Sequence, residues 1–348
     1  MMQRTAEIKE AIQLLSQQQL KDLYQFIAEI MSINIPLSNL NKEISESRFA
    51  NGEACVHCGS TAVVKYGKVG KAQRYRCKDC QKTFNTLTFS SLSYSKLPLD
   101  LWVHYAQCLI SGYSIRKSAK TVGVCVKTAF YMRHKLLDCI RTYIGVGHVK
   151  GIVELDETMV AESFKGNHKK SGFILPREPR KRGGEIHTRG ISNEYVCIAS
   201  AIDRYGNVIL EAVCKGRITH SDLERVFTNH IDTRSIICSD SHKSYIQFAK
   251  DLSLEHKQIP RGFHKSGIYH INRVNSLHSR FKQWLAGFKG VSTKYLPNYL
   301  AFFKLIEMIK GEKETVQSKS TLLYGASGFA DVRISNFRIR PRTLNKYI

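Results

Sequence analysis

Acidic residues are scarce in this chain of 348 residues: 29 Asp plus Glu face 53 Lys plus Arg. The formal charge of +24 and sequence pI of about 9.7 disfavour a cationic partner and point to a polyanion, with nucleic acid ahead of an anionic membrane surface. Long apolar runs are missing as well. None approaches the roughly 18 residues that span a bilayer, which excludes a helical membrane span. The polar opening Met1-Met2-Gln3-Arg4-Thr5-Ala6-Glu7 lacks the apolar centre of a signal peptide, so the expected location is cytoplasmic, at the nucleoid when bound to DNA. Internal repeats and low-complexity tracts are absent too, which sets repeat architectures aside.

What is present is unevenly placed. Residues 1–54 hold five basic and seven acidic residues, a net of −2, so the rest of the chain carries +26. Any one lysine is ordinarily just solvated, but a bias sustained over most of a chain favours nucleic-acid binding. The length suggests two or three domains, and 43% hydrophobic residues suffice for a substantial core.

The ten cysteines fall into two groups. Cys55-Val56-His57-Cys58 and Cys77-Lys78-Asp79-Cys80 are two CxxC pairs at the spacing of a four-thiolate zinc ribbon, expected over 55–84 with one structural Zn²⁺. Each CxxC hairpin places two sulfurs on one side of a tetrahedral ion, which closes a unit too small for a core of its own. The segment holds seven Lys or Arg against Asp79, with Tyr66, Tyr75 and Phe84 interleaved, a charge suited to DNA phosphates, although a purely structural ribbon shares the pattern. Cys108, Cys125, Cys139, Cys197, Cys214 and Cys238 read as buried small hydrophobes.

Apolar spacing organises the remainder. Residues 1–33 read as a helical hairpin broken at Ser16, with Gln19 three later in a capping-box pattern, and 34–54, with Pro36 and several Ser and Asn, as a linker. Residues 97–144 read as a helix-turn-helix region with a turn at Gly123 and a second helix offering Lys127, Arg133, His134 and Lys135 to the major groove. An ordinary helical hairpin with a charged outer face has the same periodicity. From 151 to 310 the order is strand, insertion, hairpin, helix, strand, helix, strand, helix. The basic insertion 163–192 includes Arg180, Lys181 and Arg182, further candidates for DNA contact. Tyr195–Ile202 and Val208–Val213 flank a turn that accounts for Asp203, and Ser221 with Glu224 predicts a helix start. Residues 311–348 read as a basic tail.

One constellation carries chemistry. Asp156 lies in the apolar run from Ile152, and Asp240 ends the strand-like Ser235-Ile236-Ile237-Cys238-Ser239, where open α/β sheets place their sites. Asn275 follows 35 positions later on a stretch whose apolar residues recur at helical spacing, and Lys282 nearly eclipses it two turns on. Two carboxylates and an amide oxygen can converge there, a donor set suited to Mg²⁺ or Mn²⁺. Ordinary solvated acids would satisfy the spacing alone.

The ribbon ending Arg74-Tyr75-Arg76-Cys77-Lys78-Asp79-Cys80-Gln81-Lys82-Thr83-Phe84 resembles the ISXO2-like, or IS1595, insertion-sequence transposases. So do Glu154-Leu155-Asp156-Glu157-Thr158, Ser163-Phe164-Lys165-Gly166, Ser239-Asp240, the stretch Asn275–Leu285 and Lys294–Leu300, within roughly residues 50–305. The resemblance implies an α/β fold with a ribonuclease-H-like core of the DDE class, behind the helical hairpin, ribbon and helix-turn-helix. It implies Asp156 and Asp240 as the two aspartates, Asn275 in the third place, Lys282 as the accompanying base, and two Mg²⁺ (or Mn²⁺) ions per site. Asn for Glu departs from the wider DDE pattern, with Glu157 and His278 as alternates. The implied activity is binding of terminal inverted repeats, strand cleavage and strand transfer on double-stranded DNA by at least a homodimer. A transposase-derived DNA-binding regulator without catalysis, and a structure-specific nuclease on the same fold, are the alternatives.

Overall fold

The computed structural model of the chain describes residues 11–23, 39–50, 52–70, 72–166, 174–177, 190–260, 262–263 and 265–341. Of the N-terminal hairpin only 11–23 are among them. There Ser16 Oγ accepts the Gln19 amide (3.4 Å) and Gln19 Oε1 the Ser16 amide (3.0 Å), the reciprocal pair that the Ser-x-x-Gln spacing predicts. Arg180, Lys181 and Arg182 lie outside the described residues.

The stretch read as a linker contains a helix, α1 (Leu40–Arg48), whose Leu40, Ile44 and Arg48 recur every four residues and are buried. Its polar composition hid a three-residue apolar and basic stripe. The ribbon follows as an antiparallel meander, β1 (Val63–Val69), β2 (Ala72–Cys77) and β3 (Thr83–Asn85). Next come α2 (Leu99–Ile110), α3 (Ile115–Val122) and α4 (Val126–Ile144). Ser114 caps α3 by accepting the Lys117 amide, and Gly123, at φ 74°, closes it in the left-handed conformation that a Cβ disfavours. Cys125 is exposed, not buried as expected, because its Sγ caps α4 by accepting the Thr128 amide.

The main sheet comprises β4 (Ile152–Ala161), β5 (Tyr195–Asp203), β6 (Val208–Lys215), β7 (Ile236–Asp240) and β8 (Glu255–Ile259), in the order β6-β5-β4-β7-β8. The first three pair antiparallel, while β7 runs parallel to β4 and β8 parallel to β7. Asp203 serves the β5–β6 turn: its carboxylate accepts the amides of Tyr205 and Asn207, both at 2.9 Å. One face packs on α5 (His220–Phe227) and α6 (Lys243–Asp251) through Val153, Leu155, Phe227, Ile237 and Phe248. A capping box of Thr219 with Asp222 opens α5, two residues before the expected Ser221 and Glu224, because Thr219 is the residue in extended backbone. A short hairpin, β9 (Lys265–Ser266) and β10 (Tyr269–His270), then leads into α7 (Asn272–Gly287), followed by α8 (Leu296–Ile309).

These two helices cover the other face through Val274, Leu277, Phe281, Leu300 and Phe303. Tyr299, Phe302 and Leu305 of α8 point the opposite way, into the core of α2, α3 and α4. The helix-turn-helix region and the sheet domain thus share one wall. Buried Lys304 fastens them: its Nζ donates to the carbonyls of Gly145 (2.7 Å) and Val146 (3.1 Å) and lies 3.2 Å from Glu211 Oε1.

Of the expected basic tail, 311–348, the described residues 311–341 are also structured. They form α9 (Glu314–Ser327), which buries Leu322 and Ala326, and α10 (Ile334–Ile339), which buries Phe337. Arg48 of α1 reaches back to donate to the carbonyls of Ala326 (2.8 Å) and Thr88 (2.6 Å), and Arg340 pairs with Asp138 at 2.7 Å. Apolar residues spaced for two short helices were masked by a terminal charge bias.

Candidate active site

Strand register brings the two aspartates together. Ile152, Val153 and Glu154 of β4 stand opposite Ile236, Ile237 and Cys238 of β7, so two further residues along each strand set Asp156 beside Asp240. Alternation puts both side chains on the face covered by α7, since Val153 and Ile237 point to α5 and α6. Parallel neighbours are about 4.8 Å apart, so extending this register sets the two residues across a single strand gap, where the Asp240 carboxylate also accepts the His242 amide at 3.0 Å. Asp156 is only 23% exposed. Burial pushes its carboxyl up to about 7, helped by the negative charges of Glu157 and Asp240, with Lys282 opposing.

Above this pair runs a stripe of α7. Asn275, His278 and Lys282, at intervals of three and four, lie within an arc of about 60°. His278 is buried. Its Nε2 is 2.9 Å from Oγ of Ser200, directly across from Asp156 on β5, and its Nδ1 is 3.7 Å from Asp156 Oδ2. Burial, and then the charge of Lys282, draw the imidazole down to about 4, so it is neutral at ordinary pH. Asn275 and Lys282 are exposed, available to a ligand. Glu157 leaves the group: one residue after Asp156, it points to the opposite face, where its Oε2 accepts the hydroxyl of Tyr245. The facing aspartates and the amide of Asn275 are hard oxygen donors, and a buried carboxyl raised by its neighbours is the environment a divalent cation relieves.

In the ribbon, Cys55, Cys58, Cys77 and Cys80 bring their sulfurs within 4.8 Å of one another, a cluster able to hold a metal ion. Backbone amides of the knuckles point at sulfur, His57 N–H to Cys55 Sγ at 3.4 Å and Cys80 N–H to Cys77 Sγ at 3.5 Å. The Cys80 amide draws the Cys77 thiol down, while the neighbouring sulfurs push Cys58 up, as four thiols sharing one site without a cation would. His57 stays outside the cluster, with Nε2 3.3 Å from the Thr83 carbonyl.

The expected DNA contacts on α4 are mostly overturned. Arg133, His134 and Lys135 are buried. Arg133 donates to the Tyr113 carbonyl (2.6 Å) and Ser118 Oγ (3.1 Å), His134 stacks on Tyr295 with centroids 3.8 Å apart, and Lys135 donates to the Ser93 carbonyl. These residues fall in the middle of a helix wrapped by α8, α9 and the 87–95 segment, so their charge is used internally. Lys127, in the first turn of α4, is exposed. Arg116, Lys117 and Lys120 of α3 are exposed as well and were missed; their spacing of three to four residues was the available signal.

Residues 148–304 match the ISXO2-like transposase domain. The chain is 25% identical over 265 residues to an uncharacterized protein in transposable element ISH50 of Halobacterium salinarum, covering 75% of this chain and 87% of that protein. Among solved structures it is similar to a pre-cleavage Mos1 transpososome, with 12% identity over 67% of this chain and 79% of the other and a TM-score of 0.25. Among the described residues no helix is long and apolar enough to cross a membrane.

Proposed function

We propose that the protein is a metal-dependent DDE-type transposase that cleaves the terminal inverted repeats of its insertion sequence and transfers the freed strands to target DNA. The observation that supports this reading most is the parallel β4–β7 register, which by extension aligns Asp156 with Asp240 under the α7 stripe. Three antiparallel strands followed by two parallel ones, in the order β6-β5-β4-β7-β8, support a ribonuclease-H-like core.

Asp156, Asp240 and the amide oxygen of Asn275 would hold Mg²⁺ or Mn²⁺, two ions per site. Bound there, such ions activate a water or 3′-hydroxyl and neutralise the leaving oxygen of the scissile phosphate. His278, neutral and tied to Ser200, fixes the side of Asp156 away from DNA. Lys282 presents an exposed ammonium to the phosphate. Zn²⁺ on the four cysteines holds the ribbon, while Arg116, Lys120 and Lys127 on the exposed side of α3 and α4 bind DNA. Joining two ends in one reaction requires at least a homodimer on the DNA. The test is nicking of a duplex carrying the DNA that flanks the gene. Cuts at the repeat ends with Mg²⁺ or Mn²⁺ and none with EDTA are expected; metal-independent cutting would contradict the reading.

A further inference from the structure

Glu154 is fully buried two residues before Asp156, and by alternation its side chain shares the face of that aspartate. A buried carboxylate is costly unless its oxygens are used: here Oε2 is hydrogen-bonded, while Oε1 makes no hydrogen bond and is held by ion-pair contacts alone. Oε2 accepts the backbone amides of Arg273 (2.8 Å) and Val274 (3.1 Å), the second and third residues of α7. Oε1 lies 3.1 Å from Arg204 Nη1 and 3.1 Å from His270 Nδ1. Arg204 in turn donates to the Ile268 carbonyl at 3.0 Å, so the hairpin before α7 is tied to the same carboxylate.

The local chain caps this helix weakly: Ile271, the residue before it, offers no side-chain acceptor, the first turn contains no acidic residue, and the Asn272 amide has His270 Nδ1 at 3.4 Å. Glu154 supplies from a strand what Ser, Thr or Asp ordinarily supplies from the chain, a negative acceptor on the orphan amides at the positive end of the helix dipole. Asn275 is the next residue after the second bonded amide. Because β4 also carries Asp156, one strand fixes both the aspartate and the start of the helix above it.

We infer that Glu154 is a positioning residue of the active site, which sets the height and rotation of α7 over β4 and thereby the placing of Asn275, His278 and Lys282 relative to Asp156. This rests on the transposase reading for its functional consequence, but not for its structural one.

The experiment compares the full chain with Glu154→Gln and Glu154→Leu by hydrogen exchange, Mn²⁺ titration and cleavage kinetics. In Glu154→Leu, the amides of 273–277 should exchange about tenfold faster or more, as for a lost cap, with β5, β6 and α8 unchanged. Mn²⁺ affinity should fall about tenfold, and kcat should fall with KM for DNA unchanged. The glutamine variant, which keeps one acceptor oxygen, should fall between the two in all three. If the leucine variant does not fold, the glutamine variant decides by the same readings. Exchange that rises evenly through the chain, or native Mn²⁺ affinity beside a loosened α7, overturns the inference. A native chain that cleaves no DNA defeats the transposase mechanism, while the exchange of 273–277 still decides the role of Glu154.

Discussion

His278 Nδ1 lies 3.7 Å from Asp156 Oδ2, while its Nε2 is bonded to Ser200, the residue opposite Asp156 on the next strand. The two groups are displaced in opposite senses, the carboxyl up to about 7 and the imidazole down to about 4, each chiefly by burial. Folding therefore favours the neutral form of both.

The sign of each follows by linkage. Asp156 binds its proton more tightly folded than unfolded, so it contributes stability below pH 4 that is lost as pH rises to 7, no more than about 4 kcal/mol. His278 contributes stability above pH 6.5 that is lost as pH falls toward 4, about 3 kcal/mol at most. The slopes oppose one another between pH 4 and 6.5. Without metal, Asp156→Asn should make stability rise with pH across that window, and His278→Gln should make it fall; denaturant titrations at four or five pH values would show it. Mg²⁺ should stabilise the native chain more as pH rises through 7, where Asp156 gives up its proton, and do least for Asp156→Asn.

The ribbon has its own small core of Cys55, Tyr75, Cys77 and Phe84. Cys77→Ser should reduce bound zinc from about one per chain to near none and unfold residues 55–84, leaving the main sheet protected. Metal analysis with peptide-resolved exchange checks this, and a zinc-free ribbon with native protection would show that the thiols do not need the ion.

The basic residues of α4 separate by burial. Arg133→Ala removes a guanidinium bonded to Tyr113, Ser118 and Tyr299 and should destabilise by about 2–4 kcal/mol. Lys127→Ala, at an exposed first turn, should change stability by no more than about 0.5 kcal/mol. It should weaken DNA binding at low salt and reduce the salt slope by about 1. Melting curves with binding at two salt concentrations distinguish them, and reversed effects would return Arg133 to the DNA face.

The parts of this molecule that were legible in its sequence are those with local signals. The CxxC spacing located the cysteine cluster, period-two and period-3.6 patterns located β4 to β7 and α7, and the eclipse of Asn275 with Lys282 follows from helix geometry alone. Burial of charge was not legible. Arg133, His134 and Lys135 read as groove-facing because nothing local announces that α8 will cover them, burial of Lys304 has no local signal either, and the pairing of Arg48 with the Ala326 carbonyl joins residues 278 positions apart. Glu154 carries no local signal of its role, because its partners, the first amides of α7, lie 119 and 120 positions away. That Glu157, an alternate to Asn275, points away from Asp156 depends on the parity of β4, which only the paired register fixes.

The most direct measurement is cleavage and joining of duplex DNA carrying the sequences that flank the gene, with Mg²⁺, by the native chain and by Asp240→Ala. The native chain should nick at the repeat ends and yield joined products. Asp240→Ala should bind the same DNA equally and reduce both reactions by about 1,000-fold or more, as loss of a metal-holding group in phosphoryl transfer requires. Undiminished cleavage by Asp240→Ala, or equal binding by both proteins with no strand cut under Mg²⁺ or Mn²⁺, would contradict a two-aspartate metal site at the junction of β4 and β7.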